Sequence, residues 1–206
     1  MITEEQISAN AEQFQKIMLT QVKRDGIQNL LDYMKNETDF FVAPASSQYH
    51  CSYKGGLVVH SINVYERIRR VCRDLPKEYL TEDNKEYLAE SATIVSLLHD
   101  LCKANFYKTD FKNVKDEETG KWSRQPYYKI DEQFPYGHGE KSVFLINKFM
   151  TLTDIEGLAI RWHMGAFDSA VKGGDKSLNK AFEQNPLCVA LHIADMEATY
   201  FDEVEQ

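Results

Sequence analysis

Six side chains that can bind metal stand at helix ends or within apolar stretches of the sequence. His60 lies in GGLVVHSINV, and His99 and Asp100 are adjacent in LLHDL. The other members of this set are His138, His163 and Asp195. An imidazole or a carboxylate that is buried without a partner costs free energy. A divalent cation would give all of them a partner at once, so these residues are candidate metal ligands.

Each of these histidines taken alone is more typical of a hydrogen-bonded core residue than of a metal ligand. The joint pattern is harder to explain that way, because every member would need a separate structural reason. Cysteines offer no alternative ligand set, since Cys51, Cys72, Cys102 and Cys188 are widely spaced and form no CxxC pair. That spacing is typical of reduced thiols buried as small apolar groups. Any metal site is therefore expected to use nitrogen and oxygen ligands.

Most of the elements that would position these residues are predicted to be helices. Apolar residues recur at helical spacing over 4–22, 26–36, 57–74, 83–101, 139–150, 153–163 and 186–203, and a short helix is expected between the last two. Residues 103–135 keep no helical period, and their β-leaning arms around Gly120 predict a small hairpin at about 107–130. The expected fold class is all-α with a β-hairpin insertion.

The length and composition favour a single domain. The chain has 206 residues, of which 43% are hydrophobic, and this is enough for a sizeable core. The expected domain covers 1–206, with N-terminal helices in 1–36, a core in 49–201 and the insertion in 104–135.

Charge and apolar runs argue against some classes of function. A net charge of −8 argues against a function in which the protein binds long nucleic acid through the phosphate groups. No apolar run reaches the roughly 20 residues of a membrane span. The N-terminus MITEEQISAN is acidic and polar, unlike a signal peptide. We therefore expect a cytoplasmic protein with a small-molecule substrate and no membrane partner.

The order H…HD…H…H…D, preceded by GGLVVH, resembles the HD-domain superfamily of metal-dependent phosphohydrolases. The resemblance covers about 49–201, and YHCSYKGGLVVHS, LLHDLCK, GHGEKS and LHIADMEA are most similar to the branch of HD-domain 3′-to-5′ exoribonucleases. It implies an HD-domain helical bundle. The sequence departs from the family at Cys102, where members commonly carry glycine.

The resemblance also implies roles for individual residues. A first metal site would consist of His60, His99, Asp100 and Asp195. A second metal would be held by His138 and His163, with Asp100 bridging both metals and acting in catalysis. Lys103 follows the His-Asp pair by three and four residues, so in a helical turn it would lie on the same face and neutralise a phosphate oxygen.

Two cations held in this way would clamp the oxygens of a phosphate ester and lower the pKa of a bridging water. Imidazole and carboxylate ligands suit manganese, iron, magnesium, zinc, cobalt or nickel, and ligand type does not choose among them. The expected substrate is a nucleotide or a short oligonucleotide, cleaved as a phosphomonoester or a phosphodiester.

Three further residues are candidates for substrate binding. His50 is predicted either to contact the substrate's phosphate or to be an ordinary surface histidine. The hairpin aromatics Trp122 and Tyr128 are predicted to stack on a nucleobase as part of a lid, and the alternative is that they cover the domain's own core.

Two other functions fit the same ligand pattern. HD-domain oxygenases, the group that includes myo-inositol oxygenase, have a similar set but hold two irons that activate dioxygen. A non-catalytic, metal-stabilised nucleotide-binding module would have the same ligands without turnover.

Overall fold

A computed structural model describes residues 2–75 and 82–204. In it the chain folds into packed helices with one antiparallel hairpin. The helices are α1 (Glu4–Gln21), α2 (Ile27–Asn36), α3 (Gly56–Val71), α4 (Glu82–Leu98), α5 (His138–Asn147), α6 (Asp154–Trp162), α7 (Ser169–Lys172), α8 (Ser177–Gln184) and α9 (Pro186–Glu197). The strands are β1 (Tyr107–Lys115) and β2 (Trp122–Ile130). The predicted all-α fold with a hairpin insertion is confirmed.

Local capping explains where several helices begin. The Thr3 side chain accepts a hydrogen bond from the Gln6 amide, and the Gln6 side chain accepts one from the Thr3 amide. Thr153 and Glu156 form the same reciprocal pair at the start of α6. Each pair satisfies backbone N–H groups that have no partner inside the helix.

The core lies where α3 packs against α4 and α9, and where α6 packs against α5 and α9. Leu57 and Ile68 of α3, Ile94 and Leu97 of α4, and Leu191 of α9 have no exposed surface. Burying such side chains contributes about 1.5–3 kcal/mol each. The same helices carry the candidate ligands, so the core fixes the frame in which those ligands meet.

Some element boundaries differ from the sequence-based expectation. The helix expected over 83–101 ends at Leu98, and a 3₁₀ turn, Leu101–Lys103, follows His99 and Asp100. The last helix ends at Glu197 and continues as a π-helical turn, Ala198–Asp202. Two short helices, α7 and α8, replace the single one expected between 163 and 186.

The hairpin pairs in continuous register from Tyr107 opposite Ile130 to Lys115 opposite Trp122. Its turn contains Gly120, whose φ of 67° favours a residue without a Cβ. Most of its side chains are exposed. Among the described residues, no helix combines the length and the apolar character that crossing a membrane requires.

Candidate metal centre

The structure brings the six predicted ligands together from five separate segments. His60 comes from α3, and His99 and Asp100 come from the turn after α4. The remaining three are His138 at the start of α5, His163 directly after α6, and Asp195 on α9. All except His138 and Asp195 are buried, and those two are partly buried.

Asp100 lies at the centre of the cluster and presents one oxygen to each of two histidine pairs. Its Oδ2 is 3.6 Å from His60 Nε2 and 3.4 Å from His99 Nε2. Its Oδ1 is 2.9 Å from His138 Nε2 and 3.6 Å from His163 Nε2. Each half supplies ligand atoms close enough together to hold one metal ion.

Asp195 closes the cluster from the side of α9. Its Oδ1 lies 3.3 Å from His60 Nε2. It also lies near His99 and His163, with which it forms another group that can hold a metal. A carboxylate that touches several imidazoles adds negative charge where a cation would need it.

The hydrogen bonds of the histidines make their inward nitrogens acceptors. His99 Nδ1 lies 2.8 Å from the Ser96 carbonyl oxygen, and His163 Nδ1 lies 2.7 Å from the Ile160 carbonyl oxygen. Because a carbonyl oxygen can only accept, each Nδ1 donates and each neutral ring keeps a lone pair on Nε2. His163 Nε2 is buried and has no hydrogen-bond partner among the described residues. Lone pairs that point at each other and at carboxylates repel, whereas a cation placed between them would be bound by all of them.

The departure at Cys102 is accommodated by close packing. Its side chain is 3% exposed, and its backbone N–H donates to Ser142 Oγ at 2.9 Å. Its Sγ lies 3.4 Å from His138 Nδ1. The thiol therefore helps to orient the ring whose other nitrogen meets Asp100.

Electrostatic coupling keeps Asp100 ionised. Burial raises the pKa of its carboxyl, but Lys103 and His99 outweigh burial and hold that pKa well below its usual range. Lys103 Nζ is 2.7 Å from Asp100 Oδ2, and the lysine side chain is 12% exposed. The predicted proximity of Lys103 to the His-Asp pair is thus present, with the ammonium directed at Asp100.

Glu203 belongs to the cluster, although no sequence pattern indicated it. Both of its carboxylate oxygens lie 3.1 Å from His60 Nδ1, and Oε1 accepts a hydrogen bond from Asn63 Nδ2 at 2.9 Å. The Glu203 side chain is 1% exposed. Burial alone would lower the pKa of His60, but Glu203 and Asp195 outweigh burial and raise that pKa to about 10.

His50 lies beside the cluster and is not an ordinary surface histidine. Its ring centroid is 4.8 Å from that of His60, and its Nε2 is buried without a hydrogen-bond partner among the described residues. Burial and the neighbouring His60 lower the pKa of His50 to about 4, so the ring is neutral at pH 7. His50, His60 and Glu203 also form a group that can hold a metal.

The cluster opens into a cleft with a volume of about 1190 Å³. His50, Asp100, Lys103, His138 and Asp195 are among its lining residues. The two hairpin aromatics predicted to bind substrate do not line this cleft, and Trp122 is 69% exposed. Contact of Trp122 and Tyr128 with a substrate stays a prediction, since neither side chain lines this cleft.

One curated protein is similar to part of the chain. Dihydroneopterin 2′,3′-cyclic phosphate phosphodiesterase of Methanocaldococcus jannaschii is 37% identical over 65 residues, which cover 32% of this chain and 24% of that protein. The match thus spans about a quarter of the relative's length. No protein-family model and no solved structure matches the chain. That relative is named a phosphodiesterase, and the described residues of this chain include a buried His/Asp cluster that could hold metal.

Proposed function

We propose that the chain is a metal-dependent phosphohydrolase of the HD-domain superfamily, with its HD core in residues 49–201, and that it hydrolyses a phosphodiester of a nucleotide or short oligonucleotide. The observation that carries this proposal is the position of Asp100, with one carboxylate oxygen toward His60 and His99 and the other toward His138 and His163. The phosphodiesterase activity named for the distant relative favours a diester over a monoester.

In this proposal His60, His99, Asp100 and Asp195 would hold one divalent cation. Asp100, His138 and His163 would hold a second one. Manganese, iron, magnesium, zinc, cobalt and nickel all suit these ligands. Divalent cations bound there would neutralise phosphate oxygens and make water a nucleophile at neutral pH.

The chain's own residues would then bind and orient the phosphate. Lys103 lies at the cluster and lines the cleft, so its ammonium is placed to meet a phosphate oxygen. His50 also lines the cleft, and its neutral ring can donate one hydrogen bond to the same phosphate.

The first test is metal content together with hydrolysis. The protein is purified without added metal, and its bound metal is measured by elemental analysis. It is then assayed with bis-p-nitrophenyl phosphate and 2′,3′-cyclic nucleotides in the presence of each candidate metal. About two equivalents of metal and ester hydrolysis are expected.

Variants separate the site from the rest of the chain. His99→Ala and Asp100→Asn are expected to lose both hydrolysis and one or more equivalents of metal. Asp110→Asn is the matched control, since Asp110 is a partly exposed carboxylate on β1 that pairs with Lys129. Two bound irons with oxygen uptake and no hydrolysis would identify an oxygenase instead. Nucleotide binding without turnover in every metal would identify a binding module.

A further inference from the structure

The cleft has a wall of exposed apolar side chains next to the histidine cluster. Phe167 is 54% exposed, Tyr200 56% and Met196 36%, and all three line the cleft. Covering water-exposed aromatic surface with a flat apolar partner lowers the free energy of the system. These three residues are called the apolar wall below.

His192 holds the two halves of the apolar wall together. Its Nδ1 lies 2.7 Å from the His163 carbonyl oxygen, which anchors α9 to the chain that leads into the Phe167 turn. In that turn Gly165 has a φ of 53°, and a Cβ at this position would lie 2.5 Å from His192 Cε1. The turn that carries Phe167 therefore lies directly against the His192 ring. Met196 follows His192 by about one turn of α9, and Tyr200 lies in the π-helical turn that continues this helix.

The apolar wall is joined to the candidate metal centre at both of its ends. Met196 directly follows the ligand Asp195, and the Phe167 turn begins two residues after the ligand His163. A phosphate placed at the centre would therefore direct the next group of the same molecule along this wall.

A lysine side chain lies beside the apolar wall. The Lys172 ammonium lies 5.8 Å from the centre of the Phe167 ring, and Lys172 lines the cleft. Within residues 2–75 and 82–204 no carboxylate forms an ion pair with it. An ammonium held in this way is placed to donate to an oxygen on a ring that lies against Phe167.

We propose that the apolar wall binds a planar heteroaromatic ring attached to the phosphate ester, and that Lys172 donates a hydrogen bond to a carbonyl oxygen on that ring. The inference rests on the proposed phosphodiester hydrolysis and names the substrate class of that site. It assigns the contact with the ring to Phe167 and Tyr200 rather than to Trp122 and Tyr128 of the hairpin, which do not line the cleft.

Kinetics with two esters test the assignment. Guanosine 2′,3′-cyclic phosphate carries a ring with a carbonyl oxygen, and the cyclic phosphate of ethylene glycol carries no aromatic ring. Phe167→Ala and Tyr200→Ala are expected to raise KM for the guanosine ester about tenfold each. The same variants are expected to leave kcat/KM for the ring-free ester, followed by phosphorus NMR, within about twofold. Tyr200→Phe is expected to retain the wild-type KM for the guanosine ester, because phenylalanine keeps the aromatic ring.

Phe201→Ala is the matched control. Phe201 is adjacent to Tyr200 and is 71% exposed, but it lies over the Arg67 guanidinium and does not line the cleft. This variant is expected to change neither reaction. Equal losses on both esters in Phe167→Ala and Tyr200→Ala, or an unchanged KM for the guanosine ester, would overturn the proposal.

Binding of free nucleosides separates this proposal from the proposed hydrolysis. Guanosine and adenosine are titrated into protein that a chelator has stripped of metal, and binding is measured by NMR chemical shifts. Guanosine is expected to bind, and Tyr200→Ala is expected to weaken it about tenfold. Lys172→Met is expected to weaken guanosine more than adenosine, because adenosine has no ring carbonyl. Ring binding without any ester hydrolysis would overturn the proposed function alone, and hydrolysis without ring binding would overturn the assignment of the wall.

Discussion

Replacing Glu203 with glutamine is expected to weaken metal binding by about 10- to 100-fold while the fold persists. Glu203 accepts from His60 Nδ1 with both oxygens at 3.1 Å, and its side chain is 1% exposed. When Nδ1 donates to this carboxylate and a metal cation takes the place of the Nε2 proton, the His60 ring would present its Nε2 lone pair to that cation beside His99 and Asp195. Glu203 thus acts as a positioning residue for a ligand.

The size of the effect follows from the kind of hydrogen bond that is lost. A hydrogen bond to a charged group contributes about 1.5–3 kcal/mol. Since about 1.4 kcal/mol corresponds to a factor of ten in affinity, full loss would weaken metal binding about 10- to 150-fold. Glutamine has nearly the same shape and keeps one acceptor oxygen, so the lower part of this range is expected.

The assay measures metal affinity directly rather than turnover. Protein freed of metal is titrated with Zn²⁺ or Mn²⁺ in competition with a chelating indicator of known affinity. Urea unfolding of the metal-free variant checks that the fold is retained. Glu197→Gln is the matched control. Glu197 lies on the same C-terminal segment as Glu203, but it pairs with Arg67 of α3 and its side chain is 30% exposed.

An unchanged metal affinity in Glu203→Gln would refute this reasoning, since the carboxylate would then have no influence on the His60 ring. Equal losses in Glu203→Gln and Glu197→Gln would also refute it, because the effect would then belong to the segment as a whole.

Four further outcomes are expected. Adding a chelator to metal-loaded protein should lower the free energy of unfolding by about 2.7 kcal/mol if the free metal had been 100-fold above its Kd, as urea titration with and without chelator will show. Glu156→Gln should cost about 3 kcal/mol in urea unfolding, because Glu156 is fully buried and pairs with Arg24 through both oxygens at 2.6 and 2.7 Å. Thiol titration at pH 8 should show almost no reaction in the native protein and four equivalents after unfolding, because burial raises the pKa of Cys72 to about 11 and the other three cysteines are also buried. Gly165→Ala should destabilise the protein by about 1–3 kcal/mol in thermal unfolding, because the added Cβ would meet the His192 ring at a strained φ of 53°; a stability equal to that of the wild type would show that the turn can move away from α9.

The sequence predicted the helical fold for a physical reason, and the same reason explains why the six candidate ligands lie close together. Helical periodicity reports which face is buried, and the burial of His60, His99 and Asp100 follows from the apolar residues around them. Polar groups in such positions need partners, and the six candidate ligands are each other's neighbours in the structure.

Glu203 could not be found in this way. It lies in YFDEVEQ, where its neighbour Asp202 pairs with Arg67 at the surface. Two adjacent carboxylates of the same acidic run thus have opposite environments, and only the π-helical turn Ala198–Asp202 directs Glu203 inward. Local sequence patterns contain no signal for such a turn.

The orientation of the hairpin was equally inaccessible. Alternating side chains predict that β1 and β2 pair, but the two faces of an isolated hairpin look alike from its sequence. The expected contact of Trp122 and Tyr128 with the cleft depended on which way the hairpin leans. The hairpin meets the helical core at its base, where the Lys141 ammonium lies 5.4 Å from the centre of the Phe106 ring, and such long-range contacts cannot be read from the strands alone.

The hairpin begins and ends at a single point of the molecule. Tyr107 pairs with Ile130, and the Asp131 amide donates to the Phe106 carbonyl at 2.9 Å, so the chain returns to where it left the helices. Strand pairs added or removed at the far end would leave the separation between Lys103 and His138 unchanged. The length of the hairpin is thus independent of the spacing of the ligands on either side, which the paired residues at its base hold fixed.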